Sequence, residues 1–235
     1  MILTAHQPVY LPWLGLFHKI ALADVFCVFD IAQYQKSDYN NRNKIKTPNG
    51  GMLLTVPVNA HGRFGDQIKN TMIANNEWAR QHFKAIYFNY KKSPFFNKYI
   101  DDLESIYLGE EYKYLADLNT TMLIYFLEKL DISTKIIKAS NYDFSGKKSD
   151  LVLDMCIKLK AEKIIFGENG KDYVNMDHFF KNNIETVFQN YIHPSYNQLF
   201  KKDGFLPYMS IIDLLFNEGE NSGKILMSGN IQKII

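Results

Sequence analysis

Short apolar runs alternate with helically spaced apolar positions at the start of the chain. Residues 2–5 form a short apolar run, residues 12–23 repeat apolar side chains at helical spacing, and residues 25–29 form a second apolar run. A strand, a helix and a parallel second strand make up a βαβ unit. The pattern therefore predicts an α/β domain that opens on such a unit.

The same alternation returns in the second half of the chain. Strands are predicted at residues 135–138, 163–166 and 185–189, and helices at residues 149–160, 176–181 and 210–217. Between the two halves the pattern predicts a β-hairpin over residues 42–58, a mobile glycine-containing loop at 60–66, and helices at 77–91, 93–107 and 112–130. Asn76 and Ser210 are predicted N-caps.

These elements predict an α/β fold with a mostly parallel, Rossmann-like sheet, a β-hairpin and a helical insertion. Residues 1–75 are expected to hold the βαβ unit and the hairpin, and residues 76–132 the helical insertion. Residues 133–235 are then the second α/β half of the same domain. A chain of 235 residues is long enough to bury a full core in this arrangement.

Composition narrows the class of protein. Charged residues make up 22% of the chain and the net charge is +2, so electrostatics do not require a nucleic-acid partner. Cys27 and Cys156 both fall inside predicted elements, which indicates buried thiols in a reducing compartment. Without a signal-peptide pattern or an apolar stretch of ~20 residues, we expect a cytoplasmic protein with no membrane partner. The scattered histidines predict no metal site.

Polar side chains follow the first two predicted strands. His6 and Gln7 come directly after residues 2–5 and precede Pro8, and Asp30 ends the second apolar run. Because ligands of parallel sheets bind beyond the carboxyl ends of the strands, these side chains are candidates for a site. His6 is suited to proton transfer and Asp30 to orienting an imidazole. A histidine bonded to backbone carbonyls and a carboxylate capping a turn are the structural alternatives.

The loop and helix after the first strand add four candidates. Tyr10 and Trp13 have the ring shape to line a sugar or a base, although a lone tryptophan more often packs in a core. His18 is a second candidate for proton transfer. Lys19 is suited to a phosphate, and a solvated surface lysine is the commoner alternative.

Residues after the second strand form a basic and amide-rich cluster. Gln33 and Tyr34 are candidates for substrate contact, and Arg42, Asn43 and Lys46 can clamp a carboxylate or a diphosphate. An edge hairpin protected by lysine and arginine would have the same composition.

The turn after the predicted strand at 163–166 is a further candidate. Gly167, Glu168 and Tyr173 lie in a glycine-containing segment of the kind that contacts ligands, and Glu168 has the chemistry of an acid or a base. The segment lacks the spacing of a phosphate-binding Walker A loop, so an ordinary turn is the alternative.

Several motifs resemble one known family. The chain contains HQPVYLPWLGLFHKIALADVFCVFD, then NRNKIK, GENGKDYV and FLPYMSIIDLLFN in that order. Together they resemble the WbqC-like family from His6 to about Gly219. One segment departs from the resemblance: Phe166-Gly167-Glu168 stands where the family usually has Ser-Gly, so the substrate contact at this turn is expected to differ.

The resemblance implies a role in bacterial surface polysaccharide (O-antigen) biosynthesis. Our leading hypothesis is a transferase that moves an acyl or aminoacyl group onto a nucleotide-activated amino sugar. In this hypothesis His6 or His18 removes the amine proton, Asp30 orients the imidazole, and Arg42 with Lys46 holds a diphosphate or carboxylate. The expected partners are a nucleotide-linked sugar and an acyl or aminoacyl donor. A nucleic acid is expected only if that donor is an aminoacyl-tRNA.

Two other functions stay open. One is a glycosyltransferase of the same pathway, and the other is a non-catalytic protein that binds sugar nucleotides. No cofactor is predicted. A more distant similarity to adenylyl-transferring enzymes such as pantothenate synthetase leaves ATP open, although His6 and His18 do not form the close His-x-Gly-His pair of those enzymes.

Overall fold

The computed structural model describes residues 1–59 and 66–229, and the predicted loop at 60–66 lies, apart from Asp66, outside them. The strands are β1 (Ile2–His6), β2 (Val25–Val28), β3 (Arg42–Thr47), β4 (Gly50–Thr55), β5 (Lys135–Lys138), β6 (Lys163–Phe166) and β7 (Glu185–Phe188). The α-helices are α1 (Leu14–Ala21), α2 (Glu77–Tyr90), α3 (Phe96–Glu104), α4 (Leu115–Lys129), α5 (Ser149–Leu159), α6 (Met176–Lys181), α7 (Ile211–Glu218) and α8 (Ser222–Ser228).

A five-stranded parallel sheet forms the centre of the molecule. Its strand order is β5-β2-β1-β6-β7, and β3 and β4 pair separately as an antiparallel hairpin. Strands β2 and β5 lie to one side of β1, and strands β6 and β7 lie to the other side. The predicted α/β fold with a parallel sheet and a hairpin is therefore confirmed. The strand order reverses between β1 and β6, where ligands of such sheets bind.

Strand β2 is apolar throughout because both faces of the sheet are covered. All four residues of β2 are buried, as is typical of a parallel strand with helices on both sides. On one face, Leu3 and Cys27 of the sheet pack in one cluster with Cys156 of α5. Both cysteines are buried free thiols, as predicted. On the other face, Phe26 shares one continuous core with α1, the hairpin and helices α2 to α4.

Element boundaries differ from prediction where polar groups or proline decide them. Asn76 makes no capping bond; instead the Asn75 side chain accepts from the Glu77 backbone N–H at 3.1 Å. Ser210 caps α7 as predicted, accepting from Ile212 at 3.5 Å. The second hairpin strand ends at Thr55 rather than at residue 58, two residues before Pro57, which has no N–H to donate.

No helix among residues 1–59 and 66–229 combines the length and the apolar character needed to cross a bilayer.

Candidate functional site

A cleft of about 880 Å³ opens at the carboxyl ends of β1 and β6, where the strand order reverses. Its floor is formed by Ala5, Ile164 and Ile165 of these two strands. Side chains of the loops after β1, β2 and β6 and of the start of α5 form its walls: His6, Gln7, Trp13, Phe29, Gln35, Asp38, Tyr39, Asn40, Lys148, Asn169 and Tyr173. Four of the predicted site residues, His6, Gln7, Trp13 and Tyr173, thus meet in one cavity.

His6 lies half-buried at the end of β1 and presents one ring nitrogen to the cleft. Its Nδ1 lies 2.9 Å from the backbone carbonyl of Gln7 and must donate there, which leaves Nε2 as an acceptor. Nε2 has no hydrogen-bond partner in the described part of the chain and is not among its buried atoms. Burial, and next the positive charge of Lys19, lower the pKa of His6 to about 4, against the effect of the Gln7 carbonyl. The imidazole is therefore neutral at pH 7.

Gln7 has its amide orientation fixed by a neighbour. Asn40 Nδ2 donates to Gln7 Oε1 at 3.2 Å and to the carbonyl of Pro8 at 3.1 Å. Asn40 is itself held by Asn119, which donates to its carbonyl at 2.8 Å. With Oε1 accepting from Asn40, the Gln7 Nε2 group is left as a donor without a partner in the described residues.

Aromatic rings line two sides of the cleft. The Trp13 ring lies 5.2 Å from the ring of Tyr39 and packs edge-on against His6 at 5.5 Å. Tyr39 and, on the opposite wall, Tyr173 expose about half of their surface. Partly exposed aromatic rings of this kind suit a ligand with a flat base or a sugar ring.

Two charged side chains line the cleft in the described residues, Lys148 and Asp38. Lys148 precedes the first turn of α5, and Asp38 lies in the loop after β2. Neither Lys148 nor Asp38 was predicted to be a site residue. The same holds for Gln35, Tyr39, Asn40 and Asn169. These residues sit in irregular segments, so no periodicity marks them. The run of polar residues in the loop at residues 35–40 is the one signal in the sequence, and it points to Gln35, Asp38, Tyr39 and Asn40.

The predicted pairing of Asp30 with an imidazole is wrong. The Asp30 carboxylate is buried and accepts from the backbone N–H of Ser140 at 2.9 Å and from its hydroxyl at 2.6 Å. It therefore ties the end of β2 to the segment after β5 instead of orienting His6 or His18.

Replacing Asp30 by alanine is expected to lower the free energy of unfolding by about 1–3 kcal/mol, because two donors of the half-buried Ser140 lose their acceptor. Urea unfolding would measure the loss. Asp101→Ala on the exposed face of α3 is the matched control and should stay within about 0.5 kcal/mol. A change in the titration of His6 in the Asp30 variant would contradict a purely structural role.

His18 and Tyr10 lie in the interior instead of the cleft. His18 Nδ1 accepts from Gln189 Nε2 at 2.8 Å, its Nε2 is buried without a partner in the described residues, and burial lowers its pKa to about 4. The Tyr10 hydroxyl lies 2.8 Å from His82 Nδ1 and 2.6 Å from the hydroxyl of Tyr107. The prediction of a second proton carrier and of a sugar-lining tyrosine is therefore wrong, because both side chains pack into the core.

The basic and amide cluster is also buried. Lys46 donates to Gln198 Oε1 at 3.0 Å and to the carbonyl of Gly204 at 2.6 Å. Asn43 Nδ2 donates to the carbonyl of Leu11 at 2.5 Å, and Arg42 is half-buried on β3. None of the three lines the cleft, so the predicted diphosphate clamp is wrong: Lys46 and Asn43 instead join the hairpin to neighbouring segments.

The remaining candidates border the cleft or lie away from it. Lys19 is buried behind β1, with Nζ donating to the carbonyl of Ala5 at 3.0 Å. Gln33 is exposed and bridges to Gln67, and Tyr34 is half-buried beside it. Gly167 and the exposed Glu168 open the turn whose later residues line the cleft, but they do not line it themselves.

Groups of three or more histidine, cysteine, aspartate or glutamate side chains able to hold a metal ion do not occur in the described residues.

Comparison with known proteins gives a family and one relative. The chain is 36% identical over 214 residues to the uncharacterized protein Rv1507c of Mycobacterium tuberculosis, and the match spans 91% of this chain and 92% of that protein. No solved structure matches. The model of the WbqC-like protein family matches residues 7–225, which include the loop after β1 and the wall residues of the cleft other than His6. The chain belongs to the WbqC-like protein family.

Proposed function

We propose that this protein is a cytoplasmic transferase of bacterial surface polysaccharide (O-antigen) biosynthesis that moves an acyl or aminoacyl group onto the amino group of a nucleotide-activated amino sugar. The observation that carries the proposal is the neutral imidazole of His6, whose Nε2 faces a cleft at the switch point of the sheet. The name of the family supports the pathway, and the cleft supports the chemistry.

His6 is the general base of the proposed reaction. The sugar amine donates a hydrogen bond to Nε2 and attacks the acyl carbon with its lone pair. As the nitrogen–carbon bond forms, the N–H becomes acidic and its proton passes to Nε2. The tetrahedral intermediate then expels the leaving group of the donor, which takes this proton from the imidazolium. A lowered pKa helps this last transfer because the imidazolium gives up its proton readily.

Gln7 is suited to stabilise the negative charge that develops on the acyl oxygen. Asn40 fixes its amide so that the Nε2 group is the part available for a ligand. A donor held in place before the reaction costs little reorganisation when the oxyanion forms, which is why such donors contribute strongly to acyl transfer.

The rest of the cleft suits a nucleotide-linked sugar. A volume of about 880 Å³ is at the large end for a small-molecule site. Trp13, Tyr39 and Tyr173 offer ring faces for the base or the sugar, and Lys148 offers a positive charge for the diphosphate.

A non-catalytic sugar-nucleotide-binding protein is the second candidate. The same neutral His6 would then only accept a hydrogen bond from the sugar. A glycosyltransferase of the same pathway has less support, since Asp38 is the one carboxylate that lines the cleft in the described residues.

Mass spectrometry of reaction products tests the proposal. The full chain would be incubated with nucleotide-linked amino sugars and a panel of acyl donors: acyl-coenzyme A, aminoacyl-tRNA, and free acids with ATP. We expect the nucleotide sugar to gain the mass of one acyl group and to keep its nucleotide. The matched substrate with a hydroxyl in place of the amine should gain no mass.

Two other results would each exclude the proposed acyl transfer. Release of the nucleotide with transfer of the sugar would identify a glycosyltransferase. Tight binding of the nucleotide sugar with no change in mass across the donor panel would identify a binding protein.

A further inference from the structure

Lys19 is an unusual residue for the interior of a protein. Its side chain exposes 3% of its surface, and its Nζ makes one hydrogen bond within the described residues, to the carbonyl of Ala5 at 3.0 Å. No carboxylate there lies within 4.0 Å of this ammonium. Burying a charge without a counter-charge costs free energy, so the ammonium of Lys19 lowers the stability of the folded protein.

The position of Lys19 connects it to the cleft. It lies on α1, and the carbonyl that it contacts belongs to Ala5, the residue before His6 on β1. Ala5 and His6 line the cleft, whereas Lys19 does not. The ammonium therefore contacts the end of β1 from outside the cleft, and any effect of its charge on a ligand passes through β1 and His6.

We propose that Lys19 is a positioning residue of the cleft: its buried ammonium anchors the end of β1 through the Ala5 carbonyl and, together with burial, disfavours protonation of the His6 imidazole. Its importance for catalysis rests on the proposed function. Its electrostatic effect on His6 does not, and it can be measured without a substrate.

The charges around His6 are consistent with this role. The titratable groups that line the cleft with His6 are Asp38 and Tyr39 from the loop after β2, Lys148 from the start of α5, and Tyr173 from the turn after β6, and Lys19 contacts the neighbouring Ala5 from α1. Among these, Lys19 is the one whose charge lowers the pKa of His6, in addition to burial. Burial also lowers the pKa of Lys19 to about 8, so its ammonium is fully charged where His6 titrates. Like charges at short range disfavour the protonated imidazole.

Nuclear magnetic resonance titration of His6 in the full chain tests the proposal. In Lys19→Met, which keeps the length of the side chain and removes its charge, we expect the pKa of His6 to rise by about one unit. In Lys19→Arg, which keeps the charge, we expect the pKa of His6 to stay at the value of the unaltered protein. His82 on α2, whose pKa is lowered by burial without a contribution from Lys19, is the internal control and should titrate at the same pH in all three proteins.

A second measurement needs no variant and covers the case that Lys19→Met does not fold. In the unaltered protein, loss of the Lys19 proton near pH 8 is expected to move the nitrogen resonances of the neutral His6 ring. An unchanged pKa of His6 in a folded Lys19→Met protein, or flat His6 resonances through pH 8, would overturn the proposal. A shifted titration in a protein without transferase activity would uphold Lys19 and remove only the proposed function.

Discussion

Replacing His6 by glutamine is expected to lower kcat for acyl transfer by about 10²–10⁴-fold at pH 7.5, the usual contribution of a general base. Glutamine can still accept a hydrogen bond from the amine, but it cannot take the proton. The KM for the nucleotide sugar should change little, because the aromatic walls and Lys148 stay in place. Steady-state kinetics with detection of the acylated product would measure both constants.

His178→Gln is the matched control for this prediction. His178 is exposed on α6, contacts Asp150 and does not line the cleft. We expect its variant to keep the activity of the unaltered protein. A His6→Gln protein that retains more than a tenth of kcat would remove His6 as the general base.

Lowering the pH from 7 to 4 is expected to reduce the free energy of unfolding by several kcal/mol. Burial lowers the pKa of His18 and of His82 to about 4, whereas in the unfolded chain both titrate near 6.5. The stabilisation that the two neutral histidines provide is complete above pH 6.5. It decreases as the pH falls and the unfolded chain binds protons, and it is lost once the pH is below 4. Each of these two histidines, both almost fully buried, contributes on the order of 3 kcal/mol at most.

Urea unfolding at several pH values between 7 and 4 would measure this effect. His18→Gln removes one of these buried titrations, so the free energy of unfolding of this variant should fall less steeply with pH than that of the unaltered protein. Burial raises the pKa of Asp213, so that carboxyl binds its proton first in the folded protein and offsets part of the loss. A free energy of unfolding that is the same at pH 4.5 as at pH 7 would contradict the prediction.

The fold was predictable from sequence because its strands are short, continuous apolar runs. The runs at residues 135–138 and 163–166 coincide with β5 and β6. The hydrophobic pattern does not predict equally well which polar side chains form local hydrogen bonds. Asn75 and Asn76 are both suited to hold the start of α2, and only the backbone geometry selects Asn75.

The candidate site was predictable where residues directly follow a strand. His6 and Gln7 were found in this way, because the carboxyl end of β1 faces the cleft. Tyr39 and Asn40 reach it only because the backbone N–H of Tyr10 bonds back to the carbonyl of Tyr39 at 3.1 Å, which no local pattern predicts.

Buried polar residues were the main source of error. Lys46 and His18 were predicted to contact ligand, but their partners are Gln198 and Gln189, more than half the chain away. A sequence read locally cannot distinguish a polar side chain that meets a distant amide from one that meets a substrate.

The loop after β1 is fixed by the start of α7. The backbone N–H of Ile211 donates to the carbonyl of Pro12 at 2.9 Å, and Trp13 bridges to Ser210. During synthesis on the ribosome, residues 6–13 are made long before Ser210 and Ile211. The nascent protein therefore cannot complete the wall of its cleft until these two residues have been made, and a chain that stalls after β7 would hold its sheet strands without a finished cavity.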